Sequence, residues 1–306
     1  IQPSGATEIY QGLEAGVKEV MRSLDGKRIN HIILLTDGRT YGDEQQCLGL
    51  ASKLAEHGIG ISGMGIGQEW NDIFLDVLST RTGGGSAYIA QPQDIKRLLL
   101  EKFNALAQTY AEDITLDIKY IEDVQPSYAF RLQPDPSPIE LGEDTLHLGS
   151  ILQDTPIQVI FEYIIHPKAV KSEALTILDG TLKVPVASQV MPVPPLRMQL
   201  KCAVSDSPET IPPPPQIVQA LSRLMLYRMQ ERVHHEIEKG NIDGATRQLQ
   251  TLASNLLTQG EKSLAQTILL EMESLQKQNA LTIEGSKKIK YGTRSLFSAP
   301  SKKEFS

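Results

Sequence analysis

Long apolar runs are what this sequence most plainly lacks. No stretch approaches the about 18 consecutive apolar residues that cross a bilayer as a helix, so no membrane span is expected. Cysteine is scarce as well: Cys47 and Cys202 are the only two among 306 residues, and their separation fits no metal or redox spacing. A reducing, cytoplasmic compartment is therefore expected. Positive charge is also in deficit, with 30 Lys and Arg against 37 Asp and Glu and a net charge of −7. Nucleic acid is not expected as a partner, because its binders present a basic face. Residue 1 is Ile rather than Met. The chain is expected to begin inside a longer protein or after a processing cut, with any targeting segment out of view. No phosphate loop and no Ser/His/Asp or Cys/His constellation is visible, so the sequence gives no support for an enzyme.

What is present falls into four parts. Residues 1–107 alternate helical and strand patterns. Apolar residues recur at helical spacing from Ile9 through Leu13, Val17 and Val20 to Leu24, and a continuous apolar run at 31–35 reads as a strand buried on both faces. Helices are expected at 44–57, 71–81 and 93–107, with strands at 58–66 and 86–89 between them. Strands separated by helices imply right-handed crossovers and a parallel, doubly wound sheet. Residues 108–207 change to short alternating runs at 114–118, 145–148, 157–161 and 182–186, punctuated by Pro and Gly. That pattern predicts an all-β sandwich. Four consecutive prolines at 212–215 form a stiff boundary. An all-α region over 212–282 follows, whose first helix carries Ile217, Leu221, Met225, Met229, Val233 and Ile237 at intervals of four. The last part, 283–306, is basic and poor in apolar residues, and is expected to stay mobile unless docked.

The chemistry centres on two short motifs. Asp37 ends the apolar strand in Leu34-Leu35-Thr36-Asp37-Gly38, at the carboxyl edge where open parallel sheets hold their ligands. Thr7, in Ser4-Gly5-Ala6-Thr7, lies just before the helix that feeds that strand. A hydroxyl and a carboxylate there suit a hard cation that keeps several waters, such as Mg²⁺, although two oxygens cannot hold it alone. The same Thr-Asp-Gly also fits a plain turn with an Asp-capped helix. Elsewhere, the alternating glycines at 58–67 lie within a strand rather than opening a helix, and fit a closely packed strand rather than a dinucleotide loop. His234, His235 and Glu238 fit a solvated helix face, and Trp70 fits a loop anchor.

Taken together, 4–13 and 32–38 resemble the second and third loops of a von Willebrand factor type A (VWA) domain, and Gly63-Met64-Gly65-Ile66-Gly67 and 83–88 fit its following blocks. The resemblance implies that Thr7 and Asp37 are positions of a metal-ion-dependent adhesion site. It implies that Mg²⁺ or Mn²⁺ is bound only together with an Asp-x-Ser-x-Ser segment, which this sequence lacks. It also implies a larger sheet of about six strands, of which about three are visible here, hence a truncated, Rossmann-like domain. The order of VWA domain, sandwich and helices is similar to that of bacterial multidomain VWA proteins. The implied function is a non-enzymatic interaction module whose cation accepts an acidic side chain from a protein partner. A metal-independent scaffold, binding through the sandwich and helices, is the alternative.

Overall fold

The computed structural model describes residues 8–25, 28–142, 144–166, 174–186, 193–205 and 212–297. Its first region runs α1 (Ile9–Arg22), β1 (Asn30–Thr36), α2 (Glu44–Glu56), β2 (Ile59–Ile66), α3 (Asp72–Thr80), β3 (Ser86–Ile89) and α4 (Ile95–Ala107). The three strands are parallel in the order β1-β2-β3, with Ile32 opposite Ile61 and Gly65 opposite Tyr88. Crossover helices of 13 and 9 residues join them, so a parallel sheet is the required outcome. Among the described residues β1 pairs with β2 alone and forms one edge of the sheet.

The glycines of β2 have a packing cause. A Cβ at Gly63 would lie 2.4 Å from the Leu75 side chain, and one at Gly65 would lie 1.9 Å from the Trp70 indole. With no Cβ in the way, α3 and Trp70 settle directly onto the strand, and Trp70 is 1% exposed. Its indole donates to the Gly67 carbonyl at 2.9 Å, so Trp70 anchors the loop that leaves the sheet.

The second region is β4 (Thr109–Ile118), β5 (Val124–Gln133), β6 (Ser137–Pro138), β7 (Thr145–Leu152), β8 (Gln158–Ile165), β9 (Ala174–Lys183) and β10 (Leu196–Ala203). They form two sheets, β10-β9-β4-β7 and β6-β5-β8, antiparallel throughout. Ile114, Leu116, Leu146 and Leu178 of the first and Ala129 of the second share one core, which makes a sandwich. The strand expected at 182–186 starts earlier, at Ala174, and β5 and β10 lie where no strand was expected.

Arg131 pins the sandwich to the α/β region. It is 2% exposed, and its guanidinium donates to the carbonyls of Gly83, Gly84, Leu148 and Asp135 and to the Ser137 hydroxyl. Those five bonds use every donor the fork has, the condition under which a buried cation is tolerated.

The third region is α5 (Pro215–Glu238), α6 (Ile242–Thr258), α7 (Lys262–Gln278) and α8 (Ile283–Ser295). Its core joins Met229, Val233, Leu249, Leu256, Ile268 and Ile289. Gly240 and Gly260 take φ of +74° and +87°, where an L side chain would be strained, and each lets the chain reverse after a helix. Pro215 opens α5 at a position where the missing N–H costs nothing. The apolar stripe of α5 divides: Met229 and Val233 are buried, whereas Ile217, Leu221 and Met225 are exposed.

The expectation for the basic end of the chain is corrected. Residues 283–295 are a helix, not a mobile tail, and α8 lies against the α/β region. Thr282 caps it, accepting from the Gly285 N–H at 2.9 Å while Glu271 accepts from both the Thr282 N–H and hydroxyl at 2.7 Å. Three of its basic residues, Lys287, Lys290 and Arg294, are matched across the interface rather than solvated, so low apolar content did not keep it loose. Residues 298–306 lie outside the described residues.

Candidate functional site

The carboxyl ends of β1 and β2 lie side by side because the strands are parallel. Asp37, immediately past β1, is exposed there. The loop behind it is stitched to the start of α1. Thr40 Oγ1 accepts from the Ile9 N–H at 3.0 Å, Asp43 Oδ2 accepts from the Tyr10 N–H at 2.9 Å, and the Thr40 hydroxyl donates to Asp43. These bonds satisfy N–H groups that a helix start leaves without intrahelical partners. They also fix the Asp37 loop relative to the chain that enters α1. Thr40 and Asp43 were not singled out in the sequence. Their signal was a Thr-x-x-Asp spacing that starts two residues after Gly38.

Thr7 lies outside the described residues, so its place relative to Asp37 is not described. Thr36 turns its hydroxyl inward to the Gly38 carbonyl at 2.9 Å, and Thr40 is committed to α1. Among the described residues no group of three or more His, Cys, Asp or Glu could hold a metal ion. Asp37 offers a hard oxygen of the right kind, but the described donors alone do not fit a divalent cation, which takes six or more oxygens in all.

The neighbouring strand end carries the docking of α8. Lys287 donates to the carbonyls of Gln68 and Trp70, and its ammonium lies 4.2 Å from the Trp70 ring centroid. Burial pulls Lys287 down to about 8, and the three interactions compensate its lost hydration. One turn on, Asp76 of α3 accepts a two-pronged pair from Arg294 at 2.6 and 2.8 Å, and Lys290 bridges Asp72 and Asp76. Burial alone would raise the Asp76 carboxyl, but Arg294 and then Lys290 outweigh it and hold it well below the usual range. Tyr291 completes the contact, packing within 5.9 and 6.0 Å of the Trp70 and Tyr88 rings.

Between this seam and α5 lies a cleft of about 720 Å³, bordered by Arg39 at the Asp37 loop, Ile73 on α3, Gln230 and Glu231 on α5, and Ile283 on α8. His234 and His235, read in the sequence as a solvated face, separate here. His234 is half-buried and bonded to the Ser286 hydroxyl at 3.1 Å, while His235 stays exposed. Both cysteines are free, Cys47 buried and Cys202 exposed. Among the described residues no helix is long and apolar enough to cross a membrane.

Residues 1–103 match the family model of the von Willebrand factor type A domain, and residues 215–299 match that of the Sll0103-like, C-terminal alpha-helical domain. A relative, the uncharacterized protein sll0103 of Synechocystis sp., is 28% identical over 108 residues, which is 35% of this chain and 26% of the relative. The match thus spans about a quarter of that relative's length. Among solved structures, a von Willebrand factor type A protein from Catenulispora acidiphila has a TM-score of 0.68, covering 95% of this chain and 71% of its own at 12% identity. The ArnB paralog VWA2 from Sulfolobus acidocaldarius has a TM-score of 0.51, covering 98% of this chain and 72% of its own at 14% identity. At these identities the likeness is one of fold.

Proposed function

We propose, for a chain whose residues 1–103 match the VWA family model and whose residues 215–299 match the Sll0103-like helical one, the role of a non-enzymatic module that binds a protein partner. The observation that carries this reading is the Asp37 loop. It presents an exposed carboxylate at the carboxyl edge of a parallel sheet, on a loop fixed to α1 by Thr40 and Asp43. Binding groups on loops held by a rigid scaffold are the common arrangement for recognition.

The finer part of the proposal concerns the metal. Asp37, with Thr7 and further oxygens from an Asp-x-Ser-x-Ser segment, holds Mg²⁺ or Mn²⁺, and the cation takes a carboxylate of the partner as its last ligand. Thr7 and Asp37 alone supply too few oxygens, so this chain by itself binds the cation weakly or not at all. Calorimetric titration with Mg²⁺ and Mn²⁺ tests this. A micromolar affinity lost on Asp37→Ala would overturn it. With an Asp-x-Ser-x-Ser segment supplied upstream, Asp37→Ala should abolish cation-dependent capture of an acidic partner. Exposed Ile217, Leu221 and Met225 on α5 favour a second, metal-independent reading in which the helices themselves bind.

A further inference from the structure

The cleft between α3, α5 and α8 has a polarity that nothing in the fold explains. Gln230 lines it and is 3% exposed, yet among the described residues its Oε1 accepts no hydrogen bond. Leaving a buried acceptor unmade costs free energy, and such groups call for an explanation. Beside it stands Glu231, whose carboxylate receives the Tyr227 hydroxyl and, at a long 3.4 Å, the Tyr128 hydroxyl; burial pushes it above the usual range despite the pull of Arg294 and of these bonds. The cations at this seam already have partners: Lys287 two carbonyls and the Trp70 ring, Lys290 the carboxylates of Asp72 and Asp76, and Arg294 that of Asp76. Arg39 is exposed at the opposite end, toward Asp37. The inner wall therefore presents, among the described residues, one acceptor without a donor, Gln230 Oε1, next to the Glu231 carboxylate. The flanks are apolar, with Ile73 69% and Ile283 45% exposed on opposing elements.

We propose that this cleft receives a lysine or arginine side chain from a peptide segment of a protein partner, with its cationic head on Gln230 Oε1 and Glu231. The aliphatic stem of such a side chain packs against Ile73 and Ile283 while its head makes the polar contacts. A charge-assisted bond to a carboxylate is stronger than a neutral one and repays the burial of Glu231. The volume fits a peptide side chain with its apolar neighbours rather than a lone ion. The chain's net charge of −7 favours approach of a basic segment. The site needs neither Thr7 nor a metal, so it stands independently of the cation reading above.

The test uses the whole chain and three probes: acetyl-Leu-Arg-Leu-amide, its Glu counterpart, and agmatine. Trp70 is the single tryptophan and borders the cleft, so its fluorescence reports occupancy, and amide NMR reports the Gln230 side chain. The arginine peptide should give a saturable change that is unaffected by a metal chelator and absent with the glutamate peptide. Glu231→Gln and Gln230→Leu should each weaken it about tenfold. Ile73→Ser, an exposed change that leaves the core alone, should weaken it about threefold. The proposal is overturned if no saturable change occurs, if the glutamate peptide binds equally, or if neither Ile73→Ser nor Glu231→Gln alters the affinity. Agmatine binding as tightly as the peptide would also overturn it, because the occupant would then be a small amine. Loss of binding in the chelator would move the contact to Asp37 and overturn it as well.

Discussion

Replacing Asp76 by asparagine tests how the C-terminal helix is held. Asp76 is enclosed, its side chain 9% exposed, and its partners Arg294 and Lys290 are 4% and 10% exposed. Asp76→Asn keeps the shape but removes the charge, leaving Lys290 with Asp72 and Arg294 with no carboxylate among its bonded partners. Breaking a buried pair by removing one partner costs about 3–5 kcal/mol, since the surviving charge stays desolvated. That energy falls on the seam between α8 and α3, so the readout is local opening rather than a single unfolding midpoint. Hydrogen exchange across 287–295 should accelerate by about two to three and a half orders of magnitude, at about 1.4 kcal/mol per tenfold. The double replacement Asp76→Leu with Arg294→Met should recover much of the loss, because an apolar pair carries no desolvation cost. The pH dependence has a definite sign. A carboxyl whose folded value is depressed stabilises the fold above its unfolded value, 3.8, and loses that contribution as pH falls toward the folded one. α8 should therefore loosen on acidification below about pH 4. Exchange at 287–295 unchanged within about threefold in Asp76→Asn would refute the reasoning, since so small a change is under 1 kcal/mol.

Three further outcomes are expected. Gly65→Ala should destabilise the α/β region by about 1–3 kcal/mol in urea, because its Cβ meets the fixed Trp70 indole rather than a flexible side-chain end. Asp43→Ala should lower stability by about 1 kcal/mol through loss of its bond to the Tyr10 N–H, whereas exposed Asp37→Ala should leave it within about 0.5 kcal/mol. The β1 edge presents Leu35, 38% exposed, beside backbone groups with no strand on that side among the described residues. Concentration-dependent association is expected by light scattering, and Leu35→Lys should reduce it.

The α/β region was legible because its signals are local. An apolar run, a glycine-laced run and amphipathic helices at regular spacing define β1, β2 and the crossovers without reference to anything distant. β5 was not legible for a local reason of its own. Pro126 and a register shift between Pro126 and Tyr128 break the alternation that marks a strand. β10 does alternate, through Leu196, Met198, Leu200 and Cys202, but every residue in it is exposed, so the pattern does not report burial there. The stripe on α5 misled through geometry. Residues 215–219 are exposed on every face, so Ile217 has no core to meet, and farther on steps of four residues drift about 40° each time, so a strict interval of four does not stay on one face. Its later members reach the core while Ile217, Leu221 and Met225 turn to solvent.

The end of the chain shows the deeper limit. Residues 283–295 carry Lys287, Lys288, Lys290 and Arg294 and two glycines, a composition that reads as solvated. What buries that helix is complementarity with Asp72 and Asp76, some 218 positions earlier, together with two loop carbonyls and an aromatic trio. Neither half of that match is visible from its own neighbourhood, because a charge is equally at home in water or against its opposite. The two outcomes differ in their cost of change. A solvated lysine can be replaced within about 0.5 kcal/mol, whereas removing a matched, buried one exposes the partner's desolvation. The glycines carry the same information in steric form. A Cβ at Gly285 would lie 1.9 Å from the Glu271 carboxyl, and one at Gly292 would lie 2.6 Å from Leu264. Both glycines therefore mark the face that α8 turns to α7, while Lys290 and Arg294 mark the face it turns to α3 and Lys288 stays exposed beside Glu284. Gly285→Ala should accordingly loosen the Thr282 cap that Glu271 holds, raising exchange at the first turn of α8 while leaving the Asp76–Arg294 pair intact. Equal loosening along the whole helix would mean that the cap and the ion pairs act as one unit.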